Sequence, residues 1–207
     1  MSPDLESLVD RDLDRFAPLR PFYGTAGLLA LEPVLVEARG LPQPARLLLC
    51  HDTDMTPMLE AFFGDRIHLD VLRQEQQGEV VTRQVTLRLT SSDRAVEFGA
   101  IRINLSGLAE PQEQFVREGR QPLGAILNAF DIPHESRASQ FFRIKADALM
   151  VKCFALEGPQ TLYGRCNTLS YQGGATLADV VEVLPPLSLS ERSGATGSVP
   201  GTLPAQG

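Results

Sequence analysis

The spacing of apolar residues changes along the chain, and each change predicts a different element. Near the N-terminus, apolar side chains recur at helical intervals from about residue 4 to residue 16. This pattern predicts an amphipathic helix that ends at Pro18 and Pro21. Residues 22–46 contain further prolines within an apolar stretch, so we predict no defined element there.

A short helix is predicted after the leucines at 47–49. Thr56 is the expected N-cap, because its hydroxyl can accept from a free amide of the first turn. Pro57 then occupies the first helical position, where no amide hydrogen is needed. We expect the helix to end at Gly64.

From Ile67 the apolar period changes to two, which is typical of half-buried strands. We predict strands at about 67–75, 80–90 and 95–105, the first two joined by Gln77-Gly78. A helix starting at Pro122 places four apolar residues on one face: Leu123, Ile126, Leu127 and Phe130. Three more strands are predicted near 148–156, 161–170 and 176–184.

These elements favour an α+β fold: a single antiparallel sheet of about six strands, with helices on one side. One domain is expected over residues 1–187, in which residues 1–46 form an N-terminal helix and an irregular lead-in. Residues 188–207 are rich in Ser, Gly, Thr and Pro. They cannot bury enough surface to offset their ordering entropy, so we predict a disordered tail.

Composition narrows the classes of function. A formal net charge of −7 and a pI near 5.0 argue against nonspecific nucleic-acid binding. The N-terminus has no signal layout and the apolar runs are too short to span a bilayer, so a cytoplasmic protein without membrane contact is expected. Cys50, Cys153 and Cys166 form no metal or disulfide pattern, and we expect them to be reduced and buried. The histidines lack ligand spacing, so no metal site is predicted.

Arg83 is the most informative residue of the predicted strands. Alternation places it on the same face as Val81, Val85 and Leu87. A buried guanidinium stays charged and therefore needs an acidic partner or an anionic ligand. The alternatives are a structural ion pair, or a side chain that reaches the edge of the sheet.

Three further charged residues are weaker candidates. Arg102 shares a face with apolar residues of its strand, whereas Arg165 is expected to be exposed. Glu182 is flanked by valines, so it is either paired or faces water from an edge strand. An acid and an arginine on apolar faces of one sheet could line a common cavity, which favours a functional role for Glu182 beside Arg83.

The helix start at Gln121-Pro122-Leu123-Gly124 is another candidate. The backbone amides of Leu123 and Gly124 have no partner within the helix and could attract an anion. The alternative is that Pro122 simply begins a helix, as it does in most such sequences.

Five short segments in this order and spacing resemble the chorismate-pyruvate lyases, over about residues 47–186. They are Asp52-Thr53-Asp54-Met55-Thr56, the strand with Arg83, Pro122-Leu123-Gly124, Leu162-Tyr163-Gly164-Arg165, and Val181-Glu182-Val183-Leu184-Pro185. The family fold is an antiparallel sheet with helices on one side. The resemblance implies a lyase that converts chorismate to 4-hydroxybenzoate and pyruvate by elimination and aromatisation, without a cofactor.

The resemblance also implies roles for individual residues. Arg83 would bind the ring carboxylate with help from the backbone at Leu123, and Glu182 would contact the ring hydroxyl and act in catalysis. The backbone around Met55 would close the pocket. Arg102 would match a further family arginine, although the interval from Arg83 is longer here. The implied partner is the small-molecule substrate alone, bound by a monomer.

Two other functions stay open. The same fold resembles the effector-binding domain of a group of bacterial transcription regulators, so the chain could be a non-catalytic sensor of an aromatic acid. Those regulators carry a DNA-binding domain ahead of the effector domain, and the roughly 46 residues before the matching region look too short for one. A relative that acts on a different aromatic acid is the third alternative.

Overall fold

The computed structural model describes residues 13–193, whose strands form one antiparallel sheet. The α+β fold with a single antiparallel sheet is thus confirmed, with one strand more than the six expected. Along the sheet the order is β1-β5-β6-β7-β4-β3-β2. The strands are β1 (Val34–Val36), β2 (Ile67–Gln77), β3 (Val80–Leu89), β4 (Ala95–Asn104), β5 (His134–Lys145), β6 (Thr161–Tyr171) and β7 (Thr176–Leu184).

Helical segments cover the sheet on both faces. The helices are α1 (Arg20–Ala30), α2 (Ala45–Leu49), α3 (Met55–Phe63), α4 (Glu110–Glu118), α5 (Leu123–Ala129) and α6 (Ala148–Cys153). Helices α2 to α5 pack on the face that carries Arg83, which we call the cavity face. The opposite face, here called the rear face, packs Phe98 and Phe142 against Phe16 and Leu28 of the N-terminal segment. Helices were predicted on one side of the sheet, but helical segments also pack on the rear face.

The N-terminal prediction needs correction where it can be compared. Most of residues 4–16 lies outside the described part of the chain. From Asp14 to Leu19 the chain forms a 3-10 helix that contains Pro18 and leads directly into α1. Pro21 does not end the helical structure, because it lies in the first turn of α1, where its missing amide hydrogen is not needed. The segment left unassigned thus contains most of α1, and β1.

The prediction of a strand at 148–156 is wrong. That segment forms α6, whose N-cap Asp147 accepts a hydrogen bond from the backbone of Met150 at 2.7 Å. A strand that was not predicted, β5, lies in the sheet instead. Short apolar runs such as 148–151 suit either element, and β5 carries too many polar residues to show a clear alternation.

Helix boundaries on the cavity face differ in detail from the prediction. Helix α3 starts one residue before Thr56, so Asp54 is the N-cap and Thr56 is not. Its end at Gly64 is confirmed, with a left-handed φ of 65°. Helix α5 follows Pro122 as predicted and buries three of the four expected residues. The exception is Phe130, which is exposed and whose ring lies, tilted, 5.5 Å from the ring of Phe115 on the unpredicted α4.

The start of the predicted tail, residues 188–193, contacts the fold. Ser188 and Glu191 form a capping box, and Glu191 also forms an ion pair with Arg94. The backbone amide of Ser193 donates to the carbonyl of Phe62 at 2.7 Å. Disorder from residue 188 is therefore wrong for these six residues, and the remaining tail, 194–207, lies outside the described residues.

Two expectations based on composition can also be compared with the described residues. Across residues 13–193, every helix is too short or too polar to cross a membrane. All three cysteines are free, as expected, and Cys166 is buried. The prediction of burial is wrong for Cys50, which is exposed just after α2.

Candidate ligand-binding site

The register of four strands brings separate parts of the sequence together on the cavity face. Arg83 on β3 pairs with Ile101, which pairs with Val180, which pairs with Asn167 on β6. We call these four residues the Arg83 row. Two residues further along each strand lies a second row: Val85, Gly99, Glu182 and Arg165. Because side chains alternate between faces, both rows point to the same side of the sheet.

A cavity lies above these rows, between the sheet and the starts of α3 and α5. Its empty volume is about 570 Å³, including the open mouth. Arg83, Asn167 and Glu182 supply its polar side chains from the sheet, and apolar walls come from several strands. Met55 and Leu123 line it from the first residues of α3 and α5. The structure therefore places Met55, Arg83, Leu123 and Glu182 of the predicted site at one cavity.

Arg102 does not reach this cavity. Its strand partners are Thr82 and Asp179, which are the immediate sequence neighbours of Arg83 and Val180. Because successive side chains of a strand point to opposite faces, the side chain of Arg102 lies on the rear face. The side chain is exposed there. The expectation that Arg102 binds the substrate is corrected for this reason.

The guanidinium of Arg83 is buried and has no counter-ion among residues 13–193. Only 1% of the residue is exposed. Its Nε donates to Oε1 of Gln74 at 2.9 Å, but its Nη2 has no partner in the described chain. Burial lowers the pKa of Arg83 to about 10, and no carboxylate of residues 13–193 lies within ion-pair distance. At neutral pH this cavity therefore holds an unneutralised positive charge.

Neighbouring groups hold this guanidinium in place. Gln74 on β2 orients it, and Gln74 is itself anchored because its amide donates to the carbonyl of Arg117 at 3.0 Å. Gly119 caps α4 with a φ of 68° and lies directly above, so a Cβ there would stand 3.8 Å from Cζ of Arg83. The carbonyl end of α4 carries partial negative charge, which partly stabilises the cation without neutralising it.

Glu182 is buried and paired with Arg165. The residue is 5% exposed, and its Oε2 accepts a hydrogen bond from Nε of Arg165. Arg165 is fully buried, which corrects the expectation of an exposed side chain. Its other nitrogens donate to the carbonyls of Leu49 at 3.2 Å, His51 at 2.8 Å and Thr53 at 3.2 Å. One guanidinium thus ties Glu182 to the segment that leads into α3.

Glu97 is a second buried acid beside Glu182, and the sequence pattern did not identify it. It lies two residues before Gly99, the strand partner of Glu182, and is 4% exposed. Its Oε2 has no partner among the described residues. Burial and the negative charge of Glu182 raise the pKa of Glu97 well above its ordinary value, although Arg165 opposes the shift. Burial, together with the negative charge of Glu182, therefore favours the neutral form of Glu97.

The mouth of the cavity is fixed by contacts between distant segments. Nε2 of His134, at the start of β5, lies 3.1 Å from Oδ2 of Asp54, the N-cap of α3. Gly124 packs so closely on Asp54 that a Cβ there would stand 2.7 Å from the same oxygen. The starts of α3 and α5 are therefore held together at the edge of the cavity.

Asn167 is a polar residue of the cavity that the sequence pattern did not identify. It is 3% exposed, and its amide nitrogen donates to Oγ of Ser136 at 3.0 Å. Its Oδ1 has no partner in the described chain. The available signal was alternation on β6, since Asn167 shares a face with Arg165. Its opposition to Arg83 depends on the register of four strands, which local sequence does not reveal.

No family model matches the chain, and no curated protein matches it significantly. Among solved structures, it is similar to the ligand-binding domain of a GntR-family transcriptional regulator from Bordetella bronchiseptica, at 12% identity and a TM-score of 0.41, covering 57% of this chain and 85% of that one. The effector domain of PhnF from Mycobacterium smegmatis matches at 10% identity and a TM-score of 0.48, covering 63% and 87%. The transcriptional regulator YydK from Bacillus subtilis matches at 8% identity and a TM-score of 0.48, covering 92% and 87%. Likeness at this level assigns neither a family nor a function.

Proposed function

We propose that this chain binds a small ring carboxylate in the cavity above the Arg83 row. The observation that carries the proposal is the guanidinium of Arg83, which is buried, charged and without an acidic partner in residues 13–193. An isolated buried cation is costly, and a carboxylate ligand would satisfy it through a charge-assisted hydrogen bond. The guanidinium is already oriented by Gln74, so little ordering accompanies binding.

The cavity walls favour a ring as the body of the ligand. Leu69, Val85 and Leu87 provide apolar surface on one side of Arg83, and Ile101 and Leu169 extend it across the sheet. A cavity with apolar walls and few fixed polar groups is typical of a small-molecule site. The ligand would thus place its carboxylate at Arg83 and its ring over Ile101.

The lyase reaction is the more specific form of the proposal. In chorismate, the ring carbon that bears the hydroxyl loses its proton, and the electron pair of that C–H bond forms a ring double bond. The neighbouring ring C–O bond breaks, and the enolpyruvyl group leaves as enolate and takes up a proton to give pyruvate. Aromatisation drives the reaction, so no cofactor is required. Glu182 supports this reaction, because Arg165 occupies its Oε2 and leaves Oε1 for a proton at the cavity.

Binding without conversion is the second candidate function. The pairing of Glu182 with Arg165 favours it, because an acid that holds a buried arginine in place has a structural task that needs no proton transfer. The similar solved structures are described as ligand-binding or effector domains of regulators. In this role the carboxylate would be sensed by the same residues and released unchanged. In either role we propose a cytoplasmic monomer with the small molecule as its partner.

Incubation of the purified chain with chorismate separates these functions. A lyase releases pyruvate and 4-hydroxybenzoate in equal amounts, at a rate that a chelator does not lower. A sensor binds chorismate or 4-hydroxybenzoate in calorimetry but leaves chorismate intact beyond its spontaneous decay. If chorismate, 4-hydroxybenzoate and benzoate all fail to bind, the proposal of a ring-carboxylate site is wrong.

A further inference from the structure

Asn167 occupies the end of the Arg83 row, opposite the cation. Both residues are almost fully buried, and each has one polar atom without a partner in the described chain. The two atoms have complementary chemistry, since Nη2 of Arg83 is a donor and Oδ1 of Asn167 is an acceptor. Ser136 fixes the amide so that its nitrogen is occupied and its oxygen is left for the cavity.

The span between these residues matches a molecule with one ring. Three strand spacings separate them, which corresponds to about 14 Å between their Cα atoms. The long arginine side chain and the shorter asparagine side chain both reduce this span. Ile101 and Val180 lie between them, so the floor of the row is apolar. A ring laid on this floor can present one polar group to each end.

We propose that Asn167 determines specificity by accepting a hydrogen bond from a donor group on the side of the ring opposite the carboxylate. This inference rests on the proposed function, because it assumes that the carboxylate lies at Arg83. It narrows the ligand class to ring carboxylates with a hydroxyl or amino group across the ring. A ligand without that donor leaves Oδ1 of Asn167 buried and unpaired, which is unfavourable.

This assignment gives Asn167 and Glu182 different tasks. They are diagonal neighbours on adjacent strands, with Asn167 in the Arg83 row and Glu182 in the next. A ring carbon that bears both a hydroxyl and a hydrogen can donate its O–H to Asn167 and turn its C–H toward Glu182. Asn167 is then a positioning residue that acts through hydroxyl orientation, and Glu182 is the group that receives the proton.

The test compares ligands that differ only across the ring from the carboxylate. Calorimetry with the full chain measures the affinities for 4-hydroxybenzoate, 4-methoxybenzoate and benzoate. We expect the wild type to prefer 4-hydroxybenzoate over benzoate by roughly 10-fold, the effect of one hydrogen bond. 4-Methoxybenzoate has no donor and should gain nothing over benzoate. An equal affinity for 4-hydroxybenzoate and benzoate would overturn the inference while leaving the carboxylate site intact.

Variants then assign the preference to Asn167. Asn167→Leu should reduce the preference to within about 2-fold, since the hydrogen bond to 4-hydroxybenzoate and the unpaired oxygen facing benzoate are both removed. Asn167→Asp keeps an acceptor and should retain the preference. Asn167→Ser is the second variant if the leucine form does not fold, because its shorter side chain cannot reach the ligand. A variant that folds, lacks the amide oxygen and keeps the full preference for 4-hydroxybenzoate overturns the inference. If the wild type binds none of the three ligands, the proposed function itself is wrong.

Discussion

Arg165 binds Glu182 with one nitrogen and donates to three backbone carbonyls of the segment before α3 with the others. The acid of the cavity and the start of the helix that closes it are therefore positioned by the same buried guanidinium. This arrangement predicts that changes at Arg165 affect stability and the site together.

Arg165→Lys should destabilise the fold by about 3 kcal/mol, because lysine keeps the charge but cannot make the forked contacts of a buried arginine. Thermal and urea unfolding measure the change. Arg102→Lys is the matched control, since Arg102 is exposed on the rear face and should alter stability by less than about 0.5 kcal/mol. Equal effects of the two substitutions would contradict the role given to Arg165.

Glu97→Gln should change how stability depends on pH. Because the pKa of Glu97 is raised in the folded state, the unfolded chain releases this proton at lower pH than the folded chain. The contribution of Glu97 to stability is therefore largest below its ordinary pKa near 4.5 and falls as pH rises. Glutamine does not titrate, so the variant should gain stability over the wild type at pH 8 compared with pH 5.

The measurement is the difference in free energy of unfolding between variant and wild type at the two pH values. Glu79→Gln is the control, because Glu79 is exposed. If the difference for Glu97→Gln is the same at pH 5 and pH 8, Glu97 is not protonated in the folded state.

Shortening the chain tests the contacts of residues 188–193. A chain that ends at residue 187 loses the capping box of Ser188 and the bond from Ser193 to Phe62, and should be about 1 to 2 kcal/mol less stable than a chain that ends at residue 193. Thermal unfolding of the two chains provides the comparison. Identical melting temperatures would show that these contacts contribute nothing.

Replacement of Glu182 separates catalysis from binding. If Glu182 moves a proton in the lyase reaction, both Glu182→Gln and Glu182→Ala should lower turnover by about 100 to 10,000-fold. If it only binds the ligand, Gln should cost nearer 10-fold because it can still form a hydrogen bond. Chorismate consumption measured at saturating substrate distinguishes these results. A Gln variant with nearly wild-type turnover would remove Glu182 from the mechanism.

Local sequence predicted the parts of the site that depend on one strand or one helix. Arg83 was identifiable because it interrupts an apolar alternation on β3, and Glu182 because valines flank it. The opposition of Arg83 and Asn167 was not predictable, since it requires the register of β3, β4, β7 and β6. Strand β5 was not predicted for a similar reason. Its sequence is polar, and it is stabilised by pairing with β6, a contact that its own sequence does not show.

The most direct test of the ring-carboxylate site is the affinity of Arg83→Lys for 4-hydroxybenzoate. Lysine retains the positive charge but loses the planar fork that Gln74 orients. We predict affinity roughly 10 to 100-fold weaker than that of the wild type, as expected when a charge-assisted hydrogen bond is lost. Calorimetry on the two proteins, with matched melting temperatures as the check on folding, provides the measurement. Unchanged affinity in Arg83→Lys would mean that the carboxylate does not bind at this guanidinium, and would contradict the account.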